Sequence, residues 1–206
     1  ISDIMQNKIY STITPNIDLL RSSYGYDLPE ELIAKRPSEN RDESRLLFYN
    51  QKDGESQDLI FNQIVDLIPQ GALLVANRSK VFPCRLFAKK SSGAKAEIFF
   101  LSIAPDEDES YPCMIKTSSK KNIGDVFVFE ELELSISHKN VDGTFQVTVS
   151  ENTFGNLEEF LFEKGSIPIP PYIRGGVSDD EDKKRYQTIF AKETGSVAAP
   201  TAGLHF

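Results

Sequence analysis

The residue of this 206-residue chain that is best suited to proton transfer lies one position before its last residue. His205 is one of two histidines, and it belongs to the uncharged stretch Gly195–Phe206, in which small residues predominate. Small residues allow a backbone to lie close against a ligand, and an imidazole beside such a backbone can exchange a proton near neutral pH. The same stretch is also typical of a tight buried connection in which the histidine is hydrogen-bonded inside.

The other common catalytic and ligand-binding patterns are missing from the sequence. It contains no Gly-x-Gly segment for a dinucleotide or methyltransferase loop, no Walker lysine loop and no Gly-x-Ser-x-Gly elbow. The two histidines and the two cysteines, Cys84 and Cys113, lie far apart and cannot form a zinc site without carboxylate ligands. We therefore predict no metal site, and we interpret both cysteines as reduced core residues.

Composition limits the class of protein. A hydrophobic fraction of 39% with 14 phenylalanines can build a core, and no apolar run reaches the ~18 residues of a membrane span. Together with the unpatterned cysteines, this predicts a cytoplasmic protein without a membrane segment. The net charge of −8 argues against broad, non-specific nucleic-acid binding, but it leaves a local basic surface open.

Capping and turn residues predict the elements in the first third of the chain. Asp27 and Glu30 predict the start of a helix that ends before Pro37. Asp53-Gly54 predicts the turn of a hairpin, and the apolar spacing in residues 62–68 predicts a short helix.

The middle of the chain has the pattern of short strands almost throughout. The predicted strands are 72–76, 81–88, 94–103, 111–117, 125–129, 131–137 and 144–149. Alternation of apolar and polar residues is clearest in the last two, on either side of the Asp142-Gly143 turn. Closely spaced short strands of this kind predict a closed or nearly closed antiparallel β-barrel.

Helical patterns return after the strands. Asn156 predicts the start of an amphipathic helix that Gly165 ends. The prolines in residues 167–171 require extended backbone, and Ser178 begins another predicted helix. Helical patterns on both sides of an all-β block predict the fold class α/β plus all-β, with an antiparallel β-barrel inserted into an α/β domain.

A series of segments, all in the same order, resembles the S-adenosylmethionine:tRNA ribosyltransferase-isomerases of the queuosine pathway. The stretch Val197-Ala-Ala-Pro-Thr-Ala-Gly-Leu-His-Phe206 is similar to the signature of that family. The other similar segments are Tyr26-Asp-Leu-Pro-Glu-Glu-Leu-Ile-Ala34, Arg41-Asp-Glu-Ser-Arg-Leu-Leu47, Gly71-Ala-Leu-Leu-Val-Ala-Asn77, Pro83-Cys-Arg-Leu-Phe87, Ile167-Pro-Ile-Pro-Pro-Tyr-Ile-Arg174 and Arg185-Tyr-Gln-Thr-Ile-Phe-Ala191. Their common order is far more specific than any one of them.

The resemblance implies a domain organisation. The family combines a larger α/β, distorted barrel-like domain with a smaller antiparallel β-barrel domain. We therefore expect residues 24–70 and 151–206 to form the α/β domain and residues 71–150 to form the inserted barrel, after a leader of residues 1–23. Because family members continue well beyond the signature, we expect this α/β domain to be incomplete.

The resemblance also implies a reaction. Family members transfer and isomerise the ribosyl part of S-adenosylmethionine onto 7-aminomethyl-7-deazaguanine in tRNA, which gives epoxyqueuosine and releases adenine and methionine. Such a reaction needs a base beside the sulfonium and an acid for the departing adenine. The resemblance implies His205 for proton transfer, and Tyr172, Pro200, Thr201 and Gly203 for contact with S-adenosylmethionine. The negative net charge suits the sulfonium cation, which an acidic pocket would attract.

Four further residues at positions that match family segments are candidates for substrate binding. They are Arg45, Asn77, Arg85 and Arg174. An arginine can hold a phosphate or carboxylate with two hydrogen bonds. The alternatives are a surface ion pair for Arg174 and an ion pair of Arg45 with Asp42 or Glu43. Tyr172 follows three prolines, so its ring could stack on adenine or face the sulfonium, and the alternative is an ordinary core aromatic.

The implied partner is the anticodon loop of a tRNA that carries the deazaguanine precursor, with the target base splayed out. The protein is expected to be a monomer. Basic groups that could form the RNA footprint are Lys89-Lys90, Lys116, Lys120-Lys121 and Lys183-Lys184-Arg185. Two segments depart from the family pattern, Arg78-Ser79-Lys80 and residues 115–121, and they leave open a second hypothesis. In that hypothesis the chain is a non-catalytic RNA- or protein-binding module derived from the enzyme.

Overall fold

The structure is a computed structural model that describes residues 20–150 and 156–206. The chain divides into two compact units, residues 1–34 and residues 35–206. Most of the predicted leader, residues 1–23, therefore lies outside the described residues. In the first unit, the described part forms two short 3₁₀ helices, Arg21–Tyr24 and Glu30–Leu32.

The prediction of a helix from Asp27 to Pro37 is wrong. Only Glu30–Leu32 is helical, and no side chain caps its start. Pro29 has extended backbone, with ψ 133°, and a proline also disfavours helical backbone in the residue before it. A turn of this length that buries none of its residues lacks the tertiary packing that stabilises most helices in proteins.

The second unit begins with the predicted hairpin, which is confirmed. Strand β1 (Arg45–Tyr49) pairs antiparallel with β2 (Ser56–Ile60). Gly54 in the turn has φ +77°, a conformation that glycine adopts without strain. The helix predicted in residues 62–68 is confirmed in place but is shorter, with a 3₁₀ turn, Phe61–Gln63, followed by α1 (Ile64–Leu67).

Six strands form a closed antiparallel barrel, which confirms the barrel prediction. They are β4 (Arg85–Lys90), β5 (Lys95–Phe100), β6 (Tyr111–Thr117), β7 (Val126–Phe129), β8 (Leu132–Lys139) and β9 (Phe145–Val149). Their order is β4-β5-β6-β9-β8-β7, and β7 pairs with β4 to close the barrel. Alternate side chains fill the interior, as the period of two requires, and Phe100, Phe127 and Ile98 are fully buried there. Helix α2 (Leu157–Lys164), capped by Asn156 as predicted, packs Phe160 and Leu161 onto the same core.

Two predicted strands differ from the structure. Residues 72–76 form no strand, and Leu73 and Val75 are 87% and 84% exposed. The predicted strand 81–88 is divided into β3 (Ser79–Val81) and β4, because Pro83 has no backbone N–H to continue a ladder.

The remaining elements complete the α/β part. Strand β3 pairs in parallel with β10 (Glu193–Ser196). Helix α3 (Asp180–Arg185) is capped by Asp179 rather than by the predicted Ser178, and 3₁₀ helices span Arg174–Gly176 and Thr201–His205. A parallel strand pair and short helices beside an antiparallel barrel confirm the predicted fold class, whereas the domain boundaries stay a prediction. No helix in residues 20–150 or 156–206 has the length and apolar character needed to cross a membrane.

Candidate functional site

The segment 185–191 contacts both strand β3 and the final segment, residues 197–206. Gln187 holds the buried residue Val81 through two hydrogen bonds: it accepts from the Val81 N–H at 3.0 Å and donates to the Val81 carbonyl at 2.6 Å. Gly203 lies so close to Thr188 that a Cβ atom on it would be 2.9 Å from the Thr188 Cγ2 atom. The small residue at position 203 therefore permits a close approach between two segments of the protein, whereas its predicted contact with a ligand stays a prediction.

The final segment lines a cavity of about 250 Å³ together with the exposed stretch 74–77. The lining residues are Leu74, Val75, Ala76, Asn77, Phe190, Pro200, Ala202, Gly203 and Phe206. The cavity thus brings together three of the predicted site residues, Asn77, Pro200 and Gly203. No carboxylate among the described residues lines it, so the acidic pocket expected for a sulfonium is not found here.

Asn77 supplies the polar side chain of this cavity. Its Oδ1 atom accepts hydrogen bonds from the backbone N–H of Ser79 at 2.8 Å and from the Ser79 hydroxyl at 2.7 Å. Because both bonds use Oδ1, the NH₂ group of the amide has no hydrogen-bond partner among the described residues. The cavity therefore combines apolar walls with one hydrogen-bond donor.

His205 is exposed rather than buried, so the structure does not support the interpretation of this stretch as a buried connection. Its Nδ1 atom lies 2.9 Å from the Ser44 hydroxyl oxygen, and that hydroxyl also lies 3.2 Å from the Arg41 carbonyl. The contact with Ser44 engages Nδ1 and leaves Nε2 as the ring nitrogen without a partner among the described residues. Packing on Phe61, at 5.3 Å between ring centroids, also orients the imidazole.

His205 and the cavity are connected by aromatic packing. Phe206, which lines the cavity, contacts Phe61 edge-on at 5.0 Å and Phe190 at 5.6 Å between centroids. Because Phe61 packs on both His205 and Phe206, the histidine and the cavity wall share one rigid support.

Arg41 is a site residue that the sequence analysis missed. It donates hydrogen bonds to the carbonyls of Leu204 and Arg185, each at 3.2 Å, and so ties the final segment to the start of the hairpin. Arg185 in turn donates to the carbonyls of Glu39 and Ser38. Burial, together with the nearby positive charge of Arg185, lowers the pKa of Arg41, and the carbonyl acceptors offset the cost of placing two guanidinium groups together.

Arg85 and Arg174 bind protein atoms at a second location. Arg85 forms an ion pair with Glu97 at 2.7 Å and donates to the Gly176 carbonyl. Arg174 donates to the Lys35 carbonyl at 2.9 Å and forms an ion pair with the buried Asp182. The structure therefore agrees with the alternative that Arg174 forms an ion pair. The pair is largely buried, however, rather than on the surface.

The three other predicted residues are exposed. Tyr172 is 62% exposed, so it is not an ordinary core aromatic. Thr201 is an exposed residue at the start of its 3₁₀ helix. Arg45 lies on the open face of β1 and is 3.7 Å from Asp58 on β2. The expectation that it pairs with Asp42 or Glu43 is wrong, because the antiparallel register places Arg45 opposite Ile60, with Asp58 on the same face of β2.

A carboxylate cluster fixes helix α3. Arg36 pairs with Asp179, with Glu181 at 3.2 Å and with Asp182 at 3.8 Å. The hydrogen bond from Arg36, and then that from the Asp182 backbone, hold the pKa of Asp179 far below its ordinary value of 3.8. In residues 20–150 and 156–206, no group of three or more His, Cys, Asp or Glu side chains could hold a metal ion.

Comparisons with known proteins identify the class of this chain. A family model described as "Queuosine biosynthesis protein" matches residues 21–206. The chain therefore belongs to the queuosine biosynthesis protein family.

Curated relatives give the narrower comparison. The chain is 40% identical over 195 residues to the S-adenosylmethionine:tRNA ribosyltransferase-isomerase of Desulfotalea psychrophila, covering 92% of this chain and 54% of the relative. It is 40% identical over 188 residues to the protein of that name from Geotalea uraniireducens, covering 90% and 53%. The chain thus spans about half the length of the curated relatives that it matches. A crystal structure of S-adenosylmethionine tRNA ribosyltransferase from Thermotoga maritima is 33% identical and covers 74% of this chain and 54% of that one, with a TM-score of 0.33.

Proposed function

We propose that the protein transfers and isomerises the ribosyl group of S-adenosylmethionine onto 7-aminomethyl-7-deazaguanine in tRNA, with release of adenine and methionine. One observation carries the proposal. In a chain of the queuosine biosynthesis family, the signature stretch lines a small apolar cavity and presents an oriented, exposed histidine on the same aromatic support. The name that the curated relatives share, S-adenosylmethionine:tRNA ribosyltransferase-isomerase, also supports it.

The cavity fits the nucleoside part of S-adenosylmethionine. Its volume of about 250 Å³ is below the ~300–1,000 Å³ of cavities that bury whole drug-sized ligands, so we infer that the methionyl part lies outside it. Pro200 and Gly203 leave room for a flat base against the backbone, and the free amide NH₂ of Asn77 can donate to a ring nitrogen of adenine. Thr201 and the exposed ring of Tyr172 are further proposed contacts, the latter with the sulfonium cation.

S-adenosylmethionine supplies the ribosyl group, and its sulfonium makes the neighbouring C–H bonds acidic. We assign proton transfer to Nε2 of His205, because Nδ1 is engaged by the Ser44 hydroxyl and Nε2 has no partner among the described residues. Ser44 is then a positioning residue. Arg85 and Arg174 already donate to protein atoms, so we infer that they shape the substrate site rather than bind a phosphate directly. Arg45, with its weak exposed pair, is free to contact substrate.

The proposed acceptor is the anticodon loop of tRNA, and a cytoplasmic location follows from such a substrate. We infer a monomer and a reaction that runs on these side chains without a metal ion. The alternative, a non-catalytic binding module, gives no reason for an exposed histidine whose ring is oriented by a second residue.

A chimera tests the proposed function. Residues 21–206 of this chain would replace the matching half of the Geotalea uraniireducens relative, and adenine release from S-adenosylmethionine would be measured by chromatography. Release is expected only when the tRNA carries 7-aminomethyl-7-deazaguanine, as for the unaltered relative assayed beside it. A folded chimera that releases no adenine while the relative does would contradict the proposal.

A further inference from the structure

The outer face of the barrel carries a group of lysines that do not line the cavity described above. Strands β4, β5 and β6 direct alternate side chains outward, and these border a groove of about 790 Å³. We name this surface the lysine face, and it consists of Phe87, Lys89, Lys95, Glu97 and Lys116.

The strand register concentrates positive charge on the lysine face. Lys89 lies directly opposite Lys95, and Lys116 lies opposite Glu97. Like charges directly opposite each other destabilise a sheet, and Arg85 already pairs with Glu97 at 2.7 Å. Within the described parts of the chain, none of the three lysines forms an ion pair or a side-chain hydrogen bond. Three ammonium groups that form no ion pair among the described residues, on one face of a chain with net charge −8, indicate an anionic partner.

Other lysines of the sequence-predicted RNA footprint are engaged within the protein. Lys90 pairs with Asp125 at 2.7 Å and donates to the Lys120 carbonyl at 2.8 Å. Lys121 donates to the Ile115 carbonyl at 3.2 Å, and Lys183 pairs with Asp180 at 3.5 Å. Lys90, Lys121 and Lys183 are therefore engaged by protein atoms, whereas the three lysines of the lysine face have no such contact among the described residues.

An aromatic ring identifies the kind of anion. Phe87, in the middle of the lysine face, is 49% exposed, and the Arg85 guanidinium carbon lies 4.9 Å from its ring centroid. A flat ring backed by a guanidinium and surrounded by lysines suits a nucleobase that stacks while its phosphates meet the ammonium groups. An acidic peptide would use the lysines but would have no need of the ring.

We propose that the lysine face binds a single-stranded segment of RNA, with a base on Phe87 and phosphates on Lys89, Lys95 and Lys116. This proposal rests on the proposed function in one respect, which is that RNA accepts the ribosyl group. Binding requires neither S-adenosylmethionine nor His205, so it can be measured without turnover.

The test is equilibrium binding of a fluorescent RNA stem-loop to this chain, over a series of salt concentrations and without S-adenosylmethionine. Replacing all three lysines with alanine (K89A/K95A/K116A) removes three phosphate contacts. This should weaken binding and lower the slope of log K against log salt by about 2, at about 0.7 per contact for single strands. Phe87→Ala should weaken binding about tenfold without a change in slope, and Phe87→Leu, which keeps an apolar side chain over Arg85, should behave in the same way. A duplex RNA without a loop should bind less tightly.

The matched control is K52A/K139A, which removes two exposed lysines outside the predicted RNA footprint and should leave affinity and slope unchanged. Wild-type affinity and slope in the triple lysine variant would overturn the proposal. So would an unaltered affinity in both Phe87 variants together with equal binding of polyglutamate, since that result indicates an acidic protein partner. If these variants lose RNA binding while the chimera described above releases no adenine, the RNA surface stands and the proposed reaction fails. If they bind RNA like the wild type while the chimera releases adenine, the proposed reaction stands and the RNA surface fails.

Discussion

Gly203 lies where the final segment has no room for a side chain. A side chain at this position meets Thr188, which is itself buried, at a distance shorter than van der Waals contact. The position is therefore set by packing between two segments, and the shape of the cavity depends on it.

We expect Gly203→Ala to destabilise the protein by about 1–3 kcal/mol, the usual cost of an extra methyl group in a packed site. Adding Thr188→Ser removes the Cγ2 atom that the new methyl group would strike, and should restore most of the loss. Thermal unfolding of the single and double variants measures this. Equal stability of the two would show that the contact is not the cause.

At the residue scale, the sequence indicated the stretch that lines the cavity, but not the residues that contact this stretch from elsewhere in the chain. The small residues and the histidine of 197–206 are visible locally by their types. Ser44 and Arg41 contact it from more than 150 positions earlier in the chain. The similar segment 41–47 was recognised, but its pattern could not indicate that the Ser44 hydroxyl, rather than the Arg45 guanidinium, faces His205.

At the scale of elements, Gln187 acts in place of a neighbouring strand. Strand β3 pairs with β10 on one side only, and on the other side the Gln187 amide satisfies both backbone groups of the buried Val81. A buried backbone group without a partner is costly.

Gln187→Ala should therefore lower the free energy of unfolding by about 2–6 kcal/mol, since it leaves two buried polar groups unpaired at about 1–3 kcal/mol each. Urea denaturation measures the change. Gln57→Ala, on the exposed strand β2, is the control and should change stability by less than about 0.5 kcal/mol. Similar values for the two variants would show that the Gln187 bonds do not support β3.

The attachment of helix α3 should depend on pH. Because Arg36 lowers the pKa of Asp179 below 3.8, the pair stabilises the folded state above that pH and loses its contribution as the pH falls through the folded-state pKa. Arg36→Met should be less stable than the wild type by a constant amount at neutral pH, and the difference should narrow as the pH falls below 3.8. Arg45→Met removes an exposed pair and should show little difference at any pH. A stability difference for Arg36→Met that does not change on acidification would contradict this account.

Elements with a regular apolar pattern were predictable, and elements fixed by tertiary contacts were not. The barrel strands β5 to β9 follow the alternation of residues that fill an interior, and Asn156 caps α2 as its type predicts. Residues 72–76 have strand-forming types, but the described residues offer them no neighbouring strand. The division at Pro83 is also set by packing, since Gly165 at the end of α2 lies against the Pro83 carbonyl.

At the scale of the whole molecule, the buried barrel interior is separate from the cavity and from the lysine face, to which we assign function. Cys84 and Cys113 lie in that interior as free, fully buried thiols, which confirms their interpretation as reduced core residues. Burial raises the pKa of each to about 12, so the reactive thiolate is scarce at neutral pH.

Iodoacetamide at neutral pH should therefore leave both cysteines unmodified in the folded protein and modify both in urea. Modification in intermediate urea should follow the loss of far-ultraviolet circular dichroism, because access requires opening of the barrel. Mass spectrometry measures the extent at each site. Rapid modification of either cysteine under native conditions would show that the barrel opens locally.

Proton transfer by His205 is the central assignment, and the second histidine of the chain offers a matched control. His138 is exposed on strand β8, on the outside of the barrel. The decisive measurement is the rate of adenine release by the chimera carrying His205→Gln or His138→Gln. We predict a loss of about 10²–10⁴-fold for His205→Gln, the usual contribution of a general acid or base, and no loss for His138→Gln. Equal rates for the two variants, with the fold retained, would contradict the assignment.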